Sequence, residues 1–293
     1  MAPAIHAQDD LLDMLESEDE ATAEPLPVKS TWKTMKLVNL HTTEMVKHKG
    51  LDFRVTHRFG NIGEPSGGGP HNLWGLDNSA DIRISFDYGI TDDLQIGIGR
   101  SKYNELIDAS VKWRILSQKT KGMPVSVVFY ANGAITPERD PDNRYDDWRN
   151  RMSYFTQILI ARKFSDRLSF EVAPGMLYRN MVERVVDGEG NTLTDEHTNF
   201  VVGLGGRFMI TKRFGIMADY VQVFSEFRQN YKPKNYYPPL GLGMVVETGG
   251  HVFHLTLTNA PGIVANNYIP ETTDSWMDGG MKLGFNISRV FHF

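Results

Sequence analysis

The stretch that decides the fold is the last one, Met281-Lys-Leu-Gly-Phe-Asn-Ile-Ser-Arg-Val-Phe-His-Phe293. Read with a period of two, Leu283, Phe285, Ile287, Arg289, Phe291 and Phe293 share one face. Lys282, Gly284, Asn286, Ser288, Val290 and His292 share the other. In a strand, successive side chains point to opposite faces, so this pattern gives one largely apolar and one largely polar surface. Such a strand suits the wall of a membrane β-barrel, with lipid outside, a polar lumen inside and aromatics at the interface. Gly284, Phe291 and Phe293 also match the terminal pattern that outer-membrane assembly machinery reads on its substrates. The competing reading is the last strand of a soluble β-sandwich.

Working outward, the same alternation recurs. Leu51, Phe53, Val55 and Phe59 alternate with Asp52, Arg54, Thr56 and Arg58. Ile82, Ile84, Phe86 and Tyr88 alternate with Asp81, Arg83, Ser85 and Asp87. Leu94, Ile96 and Ile98 form a third set, and Ile107, Ala109, Val111, Trp113 and Ile115 a fourth, against Asp108, Ser110, Lys112 and Arg114. Further strands are predicted near 123–135, 150–164, 167–178, 194–210, 213–229, 240–248, 250–259 and 280–293. The total is twelve, and short connections after every second strand alternate with long ones. Short periplasmic turns and long outer loops are the outer-membrane topology. The predicted fold class is therefore all-β, an antiparallel transmembrane β-barrel of about twelve strands, with outer-membrane lipid and the barrel-assembly machinery as its first partners.

Composition agrees. Of 293 residues, 41% are hydrophobic, and no apolar run reaches the roughly 18–20 residues of a membrane helix. A membrane chain of this kind must close its hydrogen bonds in a barrel. There is no cysteine, which excludes disulfides, thiol nucleophiles and Cys-ligated metal. Residues 1–28 hold eight acids and no Lys or Arg, so the remaining 265 residues carry 31 basic and 28 acidic side chains. No basic stripe for nucleic acid is present.

Four segments follow from this. Residues 1–8 read as the remnant of a signal peptide and 9–32 as an acidic flexible leader, in which Leu11, Leu12 and Leu15 are candidate contacts for a periplasmic partner. Residues 33–50 read as a periplasmic entry segment, and 51–293 as the barrel. The chain resembles an uncharacterised outer-membrane β-barrel family of Bacteroidota, a domain of unknown function. The resemblance rests on Leu51-Asp-Phe-Arg-Val-Thr-His-Arg-Phe-Gly60, Trp74-Gly-Leu-Asp-Asn-Ser-Ala-Asp-Ile-Arg83, Tyr88-Gly-Ile-Thr-Asp-Asp-Leu-Gln-Ile-Gly-Ile-Gly-Arg100, Met123-Pro-Val-Ser-Val and Glu247-Thr-Gly-Gly-His-Val-Phe-His254. The start Gln8-Asp-Asp-Leu-Leu-Asp-Met-Leu15 matches too. It implies an outer-membrane barrel and brings no catalytic residues.

Searches for chemistry return little. Gly97, Gly99, Gly203, Gly205, Gly206, Gly241 and Gly243 lie inside strands and lead to no helix, so they are not a dinucleotide fingerprint. On a lumen face they leave room for large neighbours. Asp140-Pro-Asp-Asn-Arg-Tyr-Asp-Asp147 lacks the Gly and distal Glu of a calcium loop. His57 and His251 fall on the lipid face and His254 on the lumen face, with no matching Ser for a lipase pair. No enzyme, cofactor or metal is assigned.

The richest set is the lumen face: Asp52, Arg54, Arg58, Asp81, Arg83, Asp87, Asp108, Lys112, Arg114, Glu171, Arg207, Asp219 and Lys282. Two readings remain open. The set lines a narrow pore for small polar solutes, or it is an ion-pair network closing a structural barrel that anchors a partner.

Overall fold

A computed structural model describes residues 25–29, 31, 32, 34–186, 192–230, 234–248 and 251–293. The signal-peptide remnant and Leu11, Leu12 and Leu15 lie outside the described residues.

Twelve antiparallel strands close into a barrel. They are β1 (Gly50–Asn61), β2 (Ser79–Gly89), β3 (Leu94–Ser101), β4 (Ile107–Leu116), β5 (Ser126–Ile135), β6 (Met152–Lys163), β7 (Leu168–Arg179), β10 (Thr198–Met209), β11 (Phe214–Phe224), β12 (Leu240–Thr248), β13 (His251–Thr258) and β14 (Lys282–His292). Two short strands, β8 (Arg184–Val186) and β9 (Thr192–Thr194), pair as a separate hairpin in an outer loop. Every barrel strand pairs with its neighbour in sequence along the wall. The barrel shuts where the opening stretch meets β1, from Gly50 opposite His292 to Asn61 opposite Lys282.

The period-two pattern decides which way each side chain faces. On β1 the burial alternates strictly from Gly50 to Arg58. Ile84, Phe86, Ile96, Ile98, Phe200, Ile216, Leu242 and Leu255 face outward and are exposed to what would be lipid. A one-residue slip would exchange this surface with the charged one, so the register is strongly specified. Trp74, Trp148, Tyr154, Tyr178 and Trp276 are exposed towards the long-loop end, and Trp113, Phe164, Phe291 and Phe293 towards the short-turn end. Arg289, on the lipid face, lies over the Phe291 ring at 5.0 Å near the chain end. From there a long side chain can reach the headgroups.

Among the described residues no helix is long and apolar enough to cross a membrane. Two short ones occur, α1 (Glu226–Asn230) and α2 (Ala265–Glu271). The stretch predicted as strand to residue 229 ends at Phe224 and turns into α1. The core of the molecule is not between layers. It is the barrel lumen.

Candidate functional site

Two segments outside the barrel wall fill the lumen. The first is residues 34–48, part of the stretch 33–50 expected as a periplasmic entry segment. The structure carries it inside the barrel instead. Trp32, Leu37, Val38, Leu40, Met45 and Val46 are almost fully buried, and burying each such side chain contributes roughly 1.5–3 kcal/mol. An apolar content of this kind could not remain in a solvated entry segment. The chain enters beside the β4–β5 turn, where Val28 donates to the Gln118 carbonyl at 2.7 Å. It bends back on itself through a bridge between Lys36 and His41. It leaves to β1 as the Lys49 amide donates to the Gly89 carbonyl. The second segment is the last outer loop, residues 260–281, which folds inward and buries Ala260, Ile263, Val264, Tyr268 and Ile269.

Asp219 on β11 holds the bend of the first segment. Its carboxylate accepts from the amides of Val38 (2.9 Å), Asn39 (2.6 Å) and Leu40 (3.1 Å), and from Asn39 Nδ2 (2.7 Å). A carboxylate facing three consecutive amides satisfies backbone donors that would otherwise be buried without partners. Lys112 on β4 plays the complementary part. Its ammonium donates to the carbonyls of Met35 (3.2 Å), Thr42 (2.9 Å) and Glu44 (3.1 Å).

Glycines on the inner wall make the seat. A Cβ at Gly205 would lie 2.5 Å from Leu37 Cδ1, and one at Gly203 would lie 2.6 Å from Leu40 Cδ2. At Gly241 it would lie 2.5 Å from both Val38 Cβ and Asp219 Oδ1. The outward-facing Gly206 has no such neighbour.

Arg58 joins the two lumen segments. One end of its guanidinium donates to the carbonyls of Ala260 (3.1 Å) and Gly262 in the outer loop. The other end donates to the Val38 carbonyl (3.2 Å) and Asn39 Oδ1 (2.9 Å). Lys36 makes a second link, with Nζ donating to the Ile263 carbonyl at 2.6 Å.

The other lumen charges find partners on neighbouring strands, turns and loops. Asp52 pairs with Arg54 at 3.1 Å, and Arg83 with Asp108, which also accepts from Asn132 at 2.9 Å. Asp81 accepts from the amides of Tyr103 and Ile263, both at 2.9 Å, and Asp87 from Gln95 Nε2 at 3.0 Å. Lys282 meets Asp274 at 2.5 Å. Arg207 donates to the Thr31 carbonyl at 3.0 Å, and Arg114 lies 3.6 Å from Asp93. Glu171 is fully buried within the electrostatic reach of Lys112. All thirteen lumen charges therefore face the interior, but Arg58, Asp81, Lys112 and Asp219 bind the lumen segments' main chain rather than one another. The sequence reading missed those partners, Lys36 and Asn39 above all. Their signal was the apolar content of residues 34–46.

The lumen is divided. Strands β1–β4, β13 and β14 present charged and amide side chains. Strands β5, β6, β7, β10 and β11 carry Glu171, Arg207 and Asp219 as their lumen charges and present Val128, Tyr130, Phe155, Leu159, Leu177, Val201 and Val221, which form one apolar cluster with Leu40, Met45, Tyr268 and Ile269. Removing these residues from one another would cost on the order of 15–30 kcal/mol. Beside the polar half remains a cavity of about 30 Å³, bordered by Lys36, Arg54, Arg83, Asp87, Gln95 and Lys112. That is room for about one or two waters. Above it an outer vestibule of about 890 Å³ opens between the long loops.

In that outer region Asp195 is clamped by Arg179 (2.7 Å) and Arg228 (2.9 Å). Burial pushes its carboxyl up, but the two guanidiniums outweigh this and hold it below the usual carboxylate range. Asp140 accepts from the amides of Arg144 (2.8 Å) and Tyr145 (2.9 Å), so its carboxylate serves its own loop.

Solved structures resemble the chain in barrel architecture. A NanC porin covers 83% of this chain and 99% of its own at 10% identity and a TM-score of 0.48. A KdgM porin gives the same coverages at 6% identity and 0.46. The translocator domain of the autotransporter NalP from Neisseria meningitidis covers 98% of each chain at 12% and 0.37. The barrel assignment rests on the strand pairing above and not on these likenesses. No curated protein matches the chain. With twelve strands closed around a polar-and-apolar lumen, and with residues 32–291 matching the model of the "Membrane bound beta barrel domain (DUF5777)", the chain belongs to that family of barrels, placed in the outer membrane.

Proposed function

We propose that the protein is an outer-membrane channel for small polar solutes, closed in this structure, that opens along the polar half of its lumen. The proposed role is non-catalytic, and its setting is the envelope of a Bacteroidota cell. The observation that carries it is the division of the lumen. The apolar half fixes residues 34–48 at a cost that thermal motion does not overcome. The polar half meets the same segment through hydrogen bonds instead of apolar packing, three from Lys112 and two from Arg58, each worth about 1.5–3 kcal/mol net because the donor is charged. A shift of the outer loop that broke the Lys36 and Arg58 links would widen the roughly 30 Å³ cavity into a passage lined by Arg54, Arg83, Asp87 and Lys112. Charges in such a ring set selectivity.

The second reading is a non-conducting scaffold, with the barrel anchoring a partner in the envelope. The tight packing of Leu40, Met45, Tyr268 and Ile269 favours it. Planar-bilayer recordings separate the two. The channel reading expects small or rare openings from the native chain and at least several-fold more conductance from the Lys36→Met/Arg58→Met double variant. Silence from that variant, while it still shifts in mobility between unboiled and boiled samples, leaves the scaffold.

A further inference from the structure

The periplasmic rim carries an arc of positive charge. The turns β4–β5, β6–β7 and β10–β11 follow one another around the barrel. They hold Lys119, Lys121, Lys163, Arg167, Lys212 and Arg213 against the single acid Asp166, which pairs with Lys163 at 2.9 Å. Lys119, Lys121, Arg167, Lys212 and Arg213 are exposed and make no ion pair among the described residues. Hydrogen bonds join the turns into one surface. Lys163 N donates to Gln118 Oε1 at 2.8 Å, and Met209 N to the Arg167 carbonyl at 2.8 Å. Across the rim, the β2–β3 turn carries Asp92 and Asp93 instead. There they face the exposed Lys47 and Lys49, so that side mixes both signs while the arc from Lys119 to Arg213 carries an excess of positive charge.

The chain enters the barrel at one end of this arc. Pro27 bridges to Lys119, and Leu26 and Thr120 exchange hydrogen bonds. The residues before Leu26 include eight carboxylates, from Asp9 to Glu24, and no Lys or Arg. We propose that the basic arc from Lys119 to Arg213 is the docking surface for the chain's own acidic leader, residues 9–24. Three turns set two strands apart span roughly 20–25 Å at about 4.8 Å per strand. Sixteen residues reach up to about 50 Å when extended, so the tether covers the arc at half its length. The proposal stands independently of whether the barrel conducts.

Being electrostatic and surface-exposed, the contact is screened as the Debye length falls from about 10 Å at 0.1 M salt to about 3 Å at 1 M. The test uses the full chain in neutral detergent, which removes anionic lipid as a competitor. Carbodiimide coupling, read by mass spectrometry, is expected to link leader carboxylates to Lys119, Lys121 and Lys212 at 0.1 M salt and to lose at least five-fold of that yield at 1 M. A spin label at Ser17→Cys, in a chain with no other cysteine, is expected to be immobilised at low salt and freed by Lys119→Glu/Lys121→Glu/Lys212→Glu. Links confined to Lys29, equal links to the outer-face Lys102, or a label mobile at low salt each overturn the proposal.

Discussion

Asp219 and Asn39 are joined twice, through the Asn39 amide at 2.6 Å and its Nδ2 at 2.7 Å. The two residues are 180 positions apart, and their contact fixes where the lumen segment bends. Replacing Asp219 by Ala strands the amides of Val38, Asn39 and Leu40, at about 1–3 kcal/mol for each buried donor left unpaired. Amide hydrogen exchange at residues 38–40 is expected to accelerate by at least about 100-fold, while the β5–β7 amides keep their protection. Unchanged exchange at these three positions would show that the bend is held by packing alone.

The glycine seat gives a graded expectation. At Gly203 the added Cβ meets only the Leu40 side chain, whose tip can turn at about 1–3 kcal/mol. At Gly241 it meets Val38 Cβ, Asp219 Oδ1 and Asn39 Nδ2 together, groups that the hydrogen bonds of the bend already tie to one another. Gly241→Ala is thus expected to make residues 34–48 more sensitive to added protease than Gly203→Ala does. Gly206→Ala, on the lipid side, is expected to match the native chain. Equal sensitivity of all three variants would remove the seat from the account.

The Asp195 clamp sets a pH dependence with a definite sign. A carboxyl whose folded pKa is depressed stabilises the fold above its unfolded value, about 3.9, and loses that contribution as pH falls through the folded value. The β8–β9 hairpin and α1, which Arg179 and Arg228 tie together through Asp195, are expected to be equally protected from pH 7 to 5 and to loosen only in acid below about 4. Asp195→Asn is expected to show the loosened state at pH 7. Limited proteolysis across a pH series reads both.

Phe293 is 80% exposed at the short-turn end, so its removal leaves no cavity. Any effect of Phe293 deletion would lie in assembly and not in stability. The folded, heat-modifiable band in cell envelopes is expected to drop several-fold, while protein refolded in detergent melts as the native chain does. A matching drop in the refolded protein's melting temperature would make Phe293 structural.

Much of the wall was legible in the sequence because its signals are local. Alternation of Leu51 to Arg58 or Asp81 to Tyr88 tells lumen from lipid within a single strand, and turn length tells one side of the membrane from the other. The segment Met35 to Val46 has no such period. It is neither helix nor strand, and its apolar side chains state only that they are buried, not where.

By itself, the sequence determined twelve membrane strands, the inward direction of Asp52, Arg58, Lys112 and Asp219, and the place of Phe293 at the short-turn end. The reason is that a strand in lipid must show one face to hydrocarbon and close its hydrogen bonds with its neighbours. Only the tertiary structure decided what those inward charges meet. Barrel closure brings Asn39 to Asp219 and Gly262 to Arg58, contacts between positions some 180 to 204 residues apart. They turn a charge-lined lumen into one filled by the protein's own chain.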